Sequence, residues 1–236
     1  KKELERVQYG NLLSEKQRQK AELMEVYRSI KKYIDLRDEY NLLLEKFNIQ
    51  LSPIPLPELT SEMKVAKEEG TKVAETIAYC KEHFNVCIND EQLENVAALK
   101  VAMRNLATKY GCNAAAIQCW NALQSEIGIM PCAANSLLNE EGFPVVCETD
   151  IHGAITAVMA EAAGMDEARS FFADWTVRHP DNDNAELLQH CGPWPISCAS
   201  CKPTIGYPLA FDYPGAVEAQ AKHGEMTLCR FDGDNG

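Results

Sequence analysis

Apolar residues recur at helical spacing within the highly charged first part of the chain. Residues 1–47 are rich in Lys, Glu and Arg and contain no proline. Their apolar positions lie three or four residues apart, at Leu23, Val26, Tyr27, Ile30, Tyr33 and Ile34. This spacing predicts an amphipathic helix or a pair of helices. Because no clean heptad persists, a surface helix on a core or a neighbouring subunit is favoured over a free-standing coiled coil.

A proline-rich segment separates this region from further helical sequence. In "NIQLSPIPLPEL", Pro53, Pro55 and Pro57 exclude a helix and predict an extended segment that leads into a turn. Helical sequence then continues to about His83. These features place a break in the helical pattern near residue 50.

The most clearly delimited helix is predicted in "INDEQLENVAALKVAMRNLATKYGCN". Asn89 or Asp90 can accept hydrogen bonds from the free N–H groups at its start, and Gly111 is suited to ending it. One face carries the apolar residues Leu93, Val96, Met103 and Leu106. The segment is therefore predicted to be a helix with one buried face.

Beyond this helix, short apolar runs alternate with helical patterns. "NAAAIQCW" and "FPVVCE" are predicted strands, with a short helix near "CAANSLLNEEG" between them and another helix over 153–163. Strands that alternate with helices of this length are typical of the α/β class. The fold expected is a Rossmann-like layer, a largely parallel sheet with flanking helices.

From about Ser170 the helical periodicity fades and six prolines appear, at positions 180, 193, 195, 203, 208 and 214. This change predicts an irregular or β-rich region after a boundary between residues 150 and 170. The expected organisation is an amphipathic helical segment 1–47, an α/β central domain 48–150, and the beginning of a C-terminal domain 151–236.

The charge balance removes two classes of partner. The formal net charge is -12, and no Lys/Arg cluster interrupts the acidity, so nucleic acid and anionic membrane surfaces would be repelled. The longest weakly polar stretch, "GAITAVMAEAAGM", contains Glu161 and is too short to span a bilayer. We therefore predict a cytoplasmic protein with neither nucleic acid nor membrane as a partner.

The ten cysteines are a high number for such a chain. Several lie inside apolar runs, as Cys119 does in "AAAIQCW" and Cys147 in "PVVCE", where a free thiol behaves as a small hydrophobic residue. Reduced, mostly buried thiols are expected, with disulfides or metal binding as the alternative.

Two groups of carboxylates follow the two predicted strands. Glu148 and Asp150 come after "FPVV", and Glu126 comes after "AAAIQCW". Ligands of open α/β sheets bind beyond the carboxyl ends of the strands, so neighbouring strands could direct two carboxylates to one point. Such a pair suits Mg²⁺ or Mn²⁺ and can also carry protons. Solvated residues at strand ends are the alternative on pattern alone.

The longer string "IQCWNALQSEIGIMPCAANSLLNEEGFPVVCETDIHGAITAVMAEAAG" closely resembles the core of the L-fucose isomerase family. That family consists of metal-dependent aldose-ketose isomerases and is related more distantly to L-arabinose isomerase. The tryptophan segment, the "PCAA" turn, "LNEEG" and the "CExDxxGA" motif occur together and in order. The resemblance extends from about Phe47 onward and is strongest over 117–164.

The resemblance implies a metal site and an oligomer. The family's Glu after the tryptophan segment and its Asp in "CExD" bind Mn²⁺ and handle the protons of an ene-diol mechanism; the matching residues are Glu126 and Asp150. His190 in "LLQHCGPWP" resembles a metal-binding His of the arabinose branch, and is expected near the metal or the sugar. Family relatives assemble as hexamers, so a homo-oligomer is expected.

The reaction that the resemblance implies is interconversion of an aldose and a ketose, of the L-fucose/L-fuculose or D-arabinose/D-ribulose type. A cation bound to two sugar oxygens would stabilise the enediolate. Glu126 is expected to be the general base and Asp150 its metal-bound partner, with Glu148 supporting them. Trp120 is expected either to form an apolar wall for the sugar or to be a core residue.

Two departures from the family pattern bear on activity. The family carries a further N-terminal α/β domain, and its fucose branch takes a third ligand, a His, from a C-terminal barrel. Residues 1–47 lead almost directly into the central domain, and "GEMTLCRFDGDNG" corresponds to the start of that barrel. We therefore expect a fragment or incomplete chain, with a remnant that binds without catalysing as the alternative.

Two alternatives to the isomerase remain open. "HCGPWPISCASC" offers His190, Cys191, Cys198 and Cys201, and a Cys-x-x-Cys near a His can hold structural Zn²⁺. The signal is weak without a second Cys-x-x-Cys. The chain could also be a non-catalytic oligomeric scaffold whose N-terminal helix binds a partner helix.

Overall fold

The computed structural model describes residues 15–20, 23–24, 38, 40–165, 168–208 and 212–232. The chain separates into two compact units, Lys1–Pro53 and Ile54–Gly236. In the first, the residues described between 15 and 47 are helical. The helical run 40–47 ends at Asn48, whose φ of 56° is the left-handed conformation of a helix terminus, and Asn48 N–H donates to the Leu44 carbonyl at 2.9 Å.

The predicted amphipathic face can be compared only at Leu23, which is 70% exposed. Val26, Tyr27, Ile30, Tyr33 and Ile34 lie outside the described residues. The choice between a surface helix and a coiled coil therefore stays a prediction.

The second unit begins with three helices. They are α1 (Leu56–Glu69), α2 (Thr71–His83) and α3 (Asp90–Tyr110). The predicted end of helical sequence at His83 is confirmed. The exclusion of Pro57 from a helix was wrong: Pro57 lies in the first turn of α1, where its missing N–H would have had no helical partner.

Helix α3 forms the centre of the core and confirms the predicted caps. The Asn89 side chain accepts from Gln92 N–H at 2.9 Å, and Gln92 Oε1 accepts from Asn89 N–H at 3.0 Å. Gly111 ends the helix in the left-handed conformation. The four predicted apolar residues Leu93, Val96, Met103 and Leu106 are all buried, and α3 packs on α1, on α2 and on the later helix Cys132–Glu140.

Short strands and further helices complete the unit. They are β1 (Asn85–Val86), β2 (Ala115–Ala116), α4 (Ala122–Ile127), α5 (Cys132–Glu140), β3 (Val145–Val146), α6 (Ile151–Ala163), β4 (Asp174–Arg178), β5 (Glu186–Gln189), β6 (Thr204–Gly206) and β7 (Ala216–Glu218). A 3₁₀ turn covers Ile196–Cys198. The predicted helices near "CAANSLLNEEG" and over 153–163 correspond to α5 and α6.

The predicted α/β class is confirmed, with strands shorter than the predicted ranges. In the described part of the chain they form three small sheets: parallel β2-β3, antiparallel β4-β5, and β1-β6-β7, in which β1 and β6 are parallel. Strand β6 lies beyond residue 150 and pairs with β1 before it. The three-part division of the chain and the barrel stay predictions.

The β2-β3 pair is covered on two sides. Helix α6 packs against both strands. On the edge of β3 away from β2, the Asn139 side chain donates to the Val145 carbonyl at 2.9 Å and accepts from Val145 N–H at 3.2 Å. The side-chain amide thus bonds to β3 as a neighbouring strand would.

No helix among the described residues combines the length and the apolar character needed to cross a bilayer. The cytoplasmic location stays a prediction.

Candidate active site

Two adjacent loops form the candidate site, one after β2 and one after β3. The parallel register Ala115↔Val145 and Ala116↔Val146 places the ends of both strands at the same edge. There, Thr149 N–H donates to the Ile117 carbonyl at 3.1 Å. The predicted adjacency of the two strand ends is confirmed.

Two of the predicted site residues meet between these loops. Trp120 Nε1–H donates to Glu148 Oε1 at 3.3 Å. Trp120 is 39% exposed, so it lies at the surface and the core interpretation of this residue was wrong. The role of Trp120 as a wall of the sugar site stays a prediction.

The backbone of the two loops adopts a rare conformation. Glu148 and Thr149 have φ values of 63° and 57°, and Asn121 has 55°. Left-handed φ in a residue other than glycine costs roughly 1 to 3 kcal/mol, and such residues cluster at functional sites. Here the consecutive pair turns the chain sharply between β3 and α6.

Asp150 is the most constrained of the predicted site residues. It precedes α6 and its Oδ1 accepts from Gly153 N–H at 2.8 Å. Arg230 donates to both carboxylate oxygens, from Nη1 to Oδ2 at 2.7 Å and from Nη2 to Oδ1 at 3.2 Å. Burial acts to raise the pKa of Asp150, but the hydrogen bonds from Arg230 and Gly153 outweigh it, so the pKa lies below its ordinary value.

The Gly of the "CExDxxGA" motif has a steric reason in this structure. A Cβ on Gly153 would lie 2.7 Å from Asp150 Oδ2 and 2.7 Å from Phe172 Cε2. Both distances are shorter than real Cβ contacts. Gly153 therefore permits the Asp150 carboxylate to fold back onto the start of α6.

Residues 230–232 lie along the first turns of α6. Besides the Arg230 ion pair, Phe231 N–H donates to Thr156 Oγ1 at 2.8 Å, and the Phe231 ring meets His152 edge-on at 5.6 Å. Asp232 lies 3.7 Å from His152 Nδ1. These contacts hold the Arg230 guanidinium against Asp150.

Glu126 and His190 are in contrasting environments. Glu126 is exposed on α4, the helix that follows the Trp120 loop. The His190 side chain is only 4% exposed, its ring meets Phe172 edge-on at 5.2 Å, and its Nδ1 accepts from Gly192 N–H at 3.2 Å. Burial acts to lower the pKa of His190, but Cys191, Cys147 and Asp174 together raise it.

A group of thiols lies behind the strand ends, consisting of Cys119, Cys132, Cys147 and Cys191. Cys132 Sγ and Cys191 Sγ are 3.5 Å apart, and Asn135 Nδ2 donates to Cys147 Sγ at 3.5 Å. Hydrogen bonding by the neighbouring thiols lowers the pKa of Cys147 and of Cys191, while it raises that of Cys119 and of Cys132, with burial acting to raise all four.

All ten cysteines lie in the described part of the chain and are free thiols. The expectation that most would be buried was wrong. Four are buried, three are half-buried, and Cys87, Cys201 and Cys229 are exposed. The exposed thiols lie on loops and coil segments where no core is available to cover them.

The described residues supply only part of a metal site. Among them, no group of three or more His, Cys, Asp and Glu side chains is arranged to hold a metal ion. Glu126, Asp150 and His190 therefore do not form a complete ligand set in this structure, nor do His190, Cys191, Cys198 and Cys201. Asp150 does face a cation, because both of its oxygens bind the Arg230 guanidinium.

Sequence reasoning missed two features of this site. Arg230 is 80 residues from Asp150, and no motif marks it. Cys132 and Cys191 are 59 residues apart, and their proximity likewise has no local signal. Only the tertiary fold brings either pair together.

Comparison with known proteins finds sugar isomerases. The chain is similar to proteins named sulfoquinovose isomerase from Alkalicoccus urumqiensis (28% identity over 146 residues) and from Priestia aryabhattai and Priestia megaterium (28% over 145 residues each). Each match covers 60% of this chain, which spans about a third (32%) of the relatives' length. No family model matches. The similarity is thus to sugar isomerases, and L-fucose isomerase is not singled out.

Proposed function

We propose that this chain contributes the active site of an aldose-ketose isomerase. The observation that carries the proposal is the joined pair of loops after β2 and β3, where Trp120 binds Glu148 and Asp150 follows directly. Similarity to proteins named sulfoquinovose isomerase supports the same reaction class. A scaffold or a zinc protein has no comparable support among the described residues.

Asp150, Glu126 and Glu148 have different proposed roles in the reaction. Asp150 is held ionised by Arg230 and the Gly153 N–H, so it serves as an anion that orients the sugar hydroxyls or a cation bound to them. Glu126 is exposed on α4 and free to reach a substrate, and we assign to it removal of the proton from C2. Glu148 fixes the Trp120 indole as one wall of the sugar site.

A divalent cation such as Mn²⁺ is proposed as cofactor, bound by Asp150 and Glu126 with His190 near it. Its chemical contribution would be to polarise the sugar oxygens. Because the described residues do not complete the ligand set, the remaining ligands would come from other residues or from the sugar itself. Any metal at Asp150 must displace the Arg230 guanidinium.

The substrate class proposed is an aldose of the L-fucose or D-arabinose type, converted to L-fuculose or D-ribulose. The names of the relatives add sulfoquinovose to the sugars that should be assayed. We also propose that the functional protein is a homo-oligomer, with a hexamer as the expected state.

The decisive test uses Glu126→Gln in the full-length natural protein. The substitution keeps the side-chain shape but removes basicity, so turnover should fall by roughly 10²-fold or more while sugar binding persists. Hydrogen exchange between substrate and D₂O, followed by NMR with Mn²⁺ present, measures the proton transfer directly. Assays should include L-fucose, D-arabinose and sulfoquinovose.

Glu68→Gln is the matched control, because Glu68 is also exposed but lies on α1. It should exchange hydrogen at the wild-type rate. A Glu126→Gln enzyme as fast as wild type would remove Glu126 from the mechanism. Absence of exchange by the wild-type protein with every sugar would reject the isomerase.

A second test concerns the metal. Added Mn²⁺ should raise the melting temperature of the natural protein, because a ligand that binds only the folded state stabilises it by mass action. Asp150→Asn should abolish this rise. In Arg230→Gln the rise should occur at lower Mn²⁺ concentration, because the Arg230 guanidinium no longer competes with Mn²⁺ for Asp150. Equal responses of wild type and Asp150→Asn would show that Asp150 is not a ligand.

A further inference from the structure

A pair of thiols lies close enough to be joined by a small movement. Cys132 Sγ and Cys191 Sγ are 3.5 Å apart, and a disulfide requires about 2.05 Å. Rotation about the side-chain bonds of one or both cysteines can close a gap of this size. The two residues come from the first turn of α5 and from the loop after β5.

The backbones on both sides of the pair are already in close contact. A Cβ on Gly192 would collide with Cys132 Cβ and lie 2.6 Å from its Cα, so glycine is required beside Cys191. The Cys191 carbonyl accepts from Val217 N–H at 3.0 Å, which ties this residue to β7. The proximity of the two thiols is therefore a property of the packed backbone.

Two further hydrogen bonds fix α5 against the segment after Cys191. Ser136 Oγ–H donates to the Trp194 carbonyl at 2.7 Å, and Ser197 N–H donates to Glu140 Oε2 at 2.8 Å. Ser136 and Trp194 are buried. Since these contacts run along the whole of α5, a bond between Cys132 and Cys191 would form without rearrangement of either segment.

We propose that Cys132 and Cys191 form an oxidation site that takes a peroxide as oxidant and is converted to a disulfide. Cys191 is the residue that reacts first with the peroxide, because it is half-buried whereas Cys132 is fully buried. The Cys191 thiolate attacks one oxygen of hydrogen peroxide and releases hydroxide, which leaves a sulfenic acid on Cys191. The Cys132 thiol then attacks the sulfenic sulfur, a water molecule leaves, and the S–S bond forms. Overall, two thiols and one peroxide give one disulfide and two waters.

Two other places in the chain bear on this assignment, the buried thiol Cys80 and the pair Cys198 and Cys201. Cys80 is fully buried, and burial raises its pKa to about 12, so it reacts slowly as a nucleophile. Cys198 and Cys201 form the Cys-x-x-Cys motif of the sequence, and they are the pair that could be oxidised to a disulfide in place of Cys132 and Cys191. Cys201 is exposed and Cys198 is half-buried.

The test is peptide mapping of the natural protein after treatment with hydrogen peroxide near the protein's own concentration. Digestion without reductant should yield a peptide pair that joins Cys132 to Cys191, lighter by two hydrogens than the reduced peptides together. A bond across a loop of this length should also raise the melting temperature by about 5 °C or more. Dithiothreitol should reverse both changes.

Variants separate this site from its competitors. Cys191→Ser should lose the linked peptide and the rise in melting temperature, while Cys201→Ser should retain both. A map in which peroxide links Cys198 to Cys201, or Cys132 to Cys147, without any Cys132–Cys191 link would overturn the proposal. So would oxidation that stops at single modified thiols. Because the mapping is done on the wild-type protein, the proposal remains testable even if a variant does not fold.

Discussion

Helix α3 and the loops after β2 and β3 are organised by opposite means. In α3, the cap Asn89 and its partner Gln92 are three residues apart, and the buried residues repeat at helical spacing. In the loops, Asp150 is held by Arg230 from 80 residues away, and Glu148 by Trp120 from 28 residues away. The helix is specified by neighbours in sequence, whereas the site is specified by distant contacts.

The two regions also differ in backbone strain. Helix α3 ends in favourable caps and buries its apolar face, so each local preference agrees with the fold. The loops carry Glu148 and Thr149 at positive φ, which is unfavourable in isolation. A strained site is therefore supported by an unstrained core, and substitutions in the two regions should differ in kind.

The largest effect is expected from Leu99→Ala. Leu99 lies on α3 and is fully buried, so the substitution leaves a cavity and should cost about 2 to 5 kcal/mol of unfolding free energy. Urea unfolding measures this cost. Val65→Ala on α1 is the control. Because Val65 is 40% exposed, this substitution should reduce the unfolding free energy far less. A loss for Leu99→Ala as small as the control's would show that α3 does not organise the core.

An intermediate effect is expected from Gly153→Ala at the site. The new Cβ would collide with the Asp150 carboxylate and with Phe172. This overpacking should lower the free energy of unfolding by about 1 to 3 kcal/mol and displace Asp150. Thermal unfolding measures the cost, and the Mn²⁺ response should weaken. Gly224→Ala is the control, since nothing lies within 4 Å of its added Cβ. Equal melting temperatures for the two variants would contradict the packing described here.

The smallest effect is expected from Arg230→Gln. Arg230 is half-exposed, so its pair with Asp150 should contribute below about 1 kcal/mol at neutral pH. Folding lowers the pKa of Asp150 below its ordinary value of 3.8. The ionised carboxylate therefore stabilises the folded state fully at pH values above 3.8, and this stabilisation is lost as the pH falls through the lowered pKa. Wild type and Arg230→Gln should therefore differ at neutral pH and converge in strong acid.

An NMR titration of the Asp150 carboxyl provides the direct measurement. In Arg230→Gln the pKa of Asp150 should rise toward the ordinary value, because the hydrogen bonds from Arg230 no longer oppose the effect of burial. An unchanged pKa in the variant would mean that the ion pair does not form in solution.

Sequence patterns predicted those parts of the fold whose signals are local. The caps of α3, the helices α5 and α6, and the parallel pairing of β2 with β3 all follow from short-range periodicity and turn residues. Pro57 misled because a proline that excludes a helix interior is tolerated in the first turn. The strands were predicted too long because apolar runs such as "AAAIQCW" extend past the two residues that find a ladder partner.

The candidate site was predictable only as far as its residues follow strands. Glu148 and Asp150 follow β3 as predicted, and the ends of β2 and β3 lie at one edge because the strands are parallel neighbours. Trp120, which lies inside the predicted strand "NAAAIQCW", is found in the loop after β2 instead. Arg230, the steric role of Gly153 and the Cys132–Cys191 contact depend on which distant segments pack together. A single sequence carries no periodic or motif signal for such contacts.

The side chain of Asn139 has a consequence for how copies of this chain behave together. The Val145 N–H and carbonyl face away from β2, and unpaired groups of this kind can template the addition of a strand from another molecule. Since Asn139 occupies both groups, this edge of β3 is closed to intermolecular pairing. Asn139, the buried asparagine of "LNEEG", therefore protects the two-stranded β2-β3 sheet against aggregation. In larger sheets, charged residues or prolines on the edge strands have this effect.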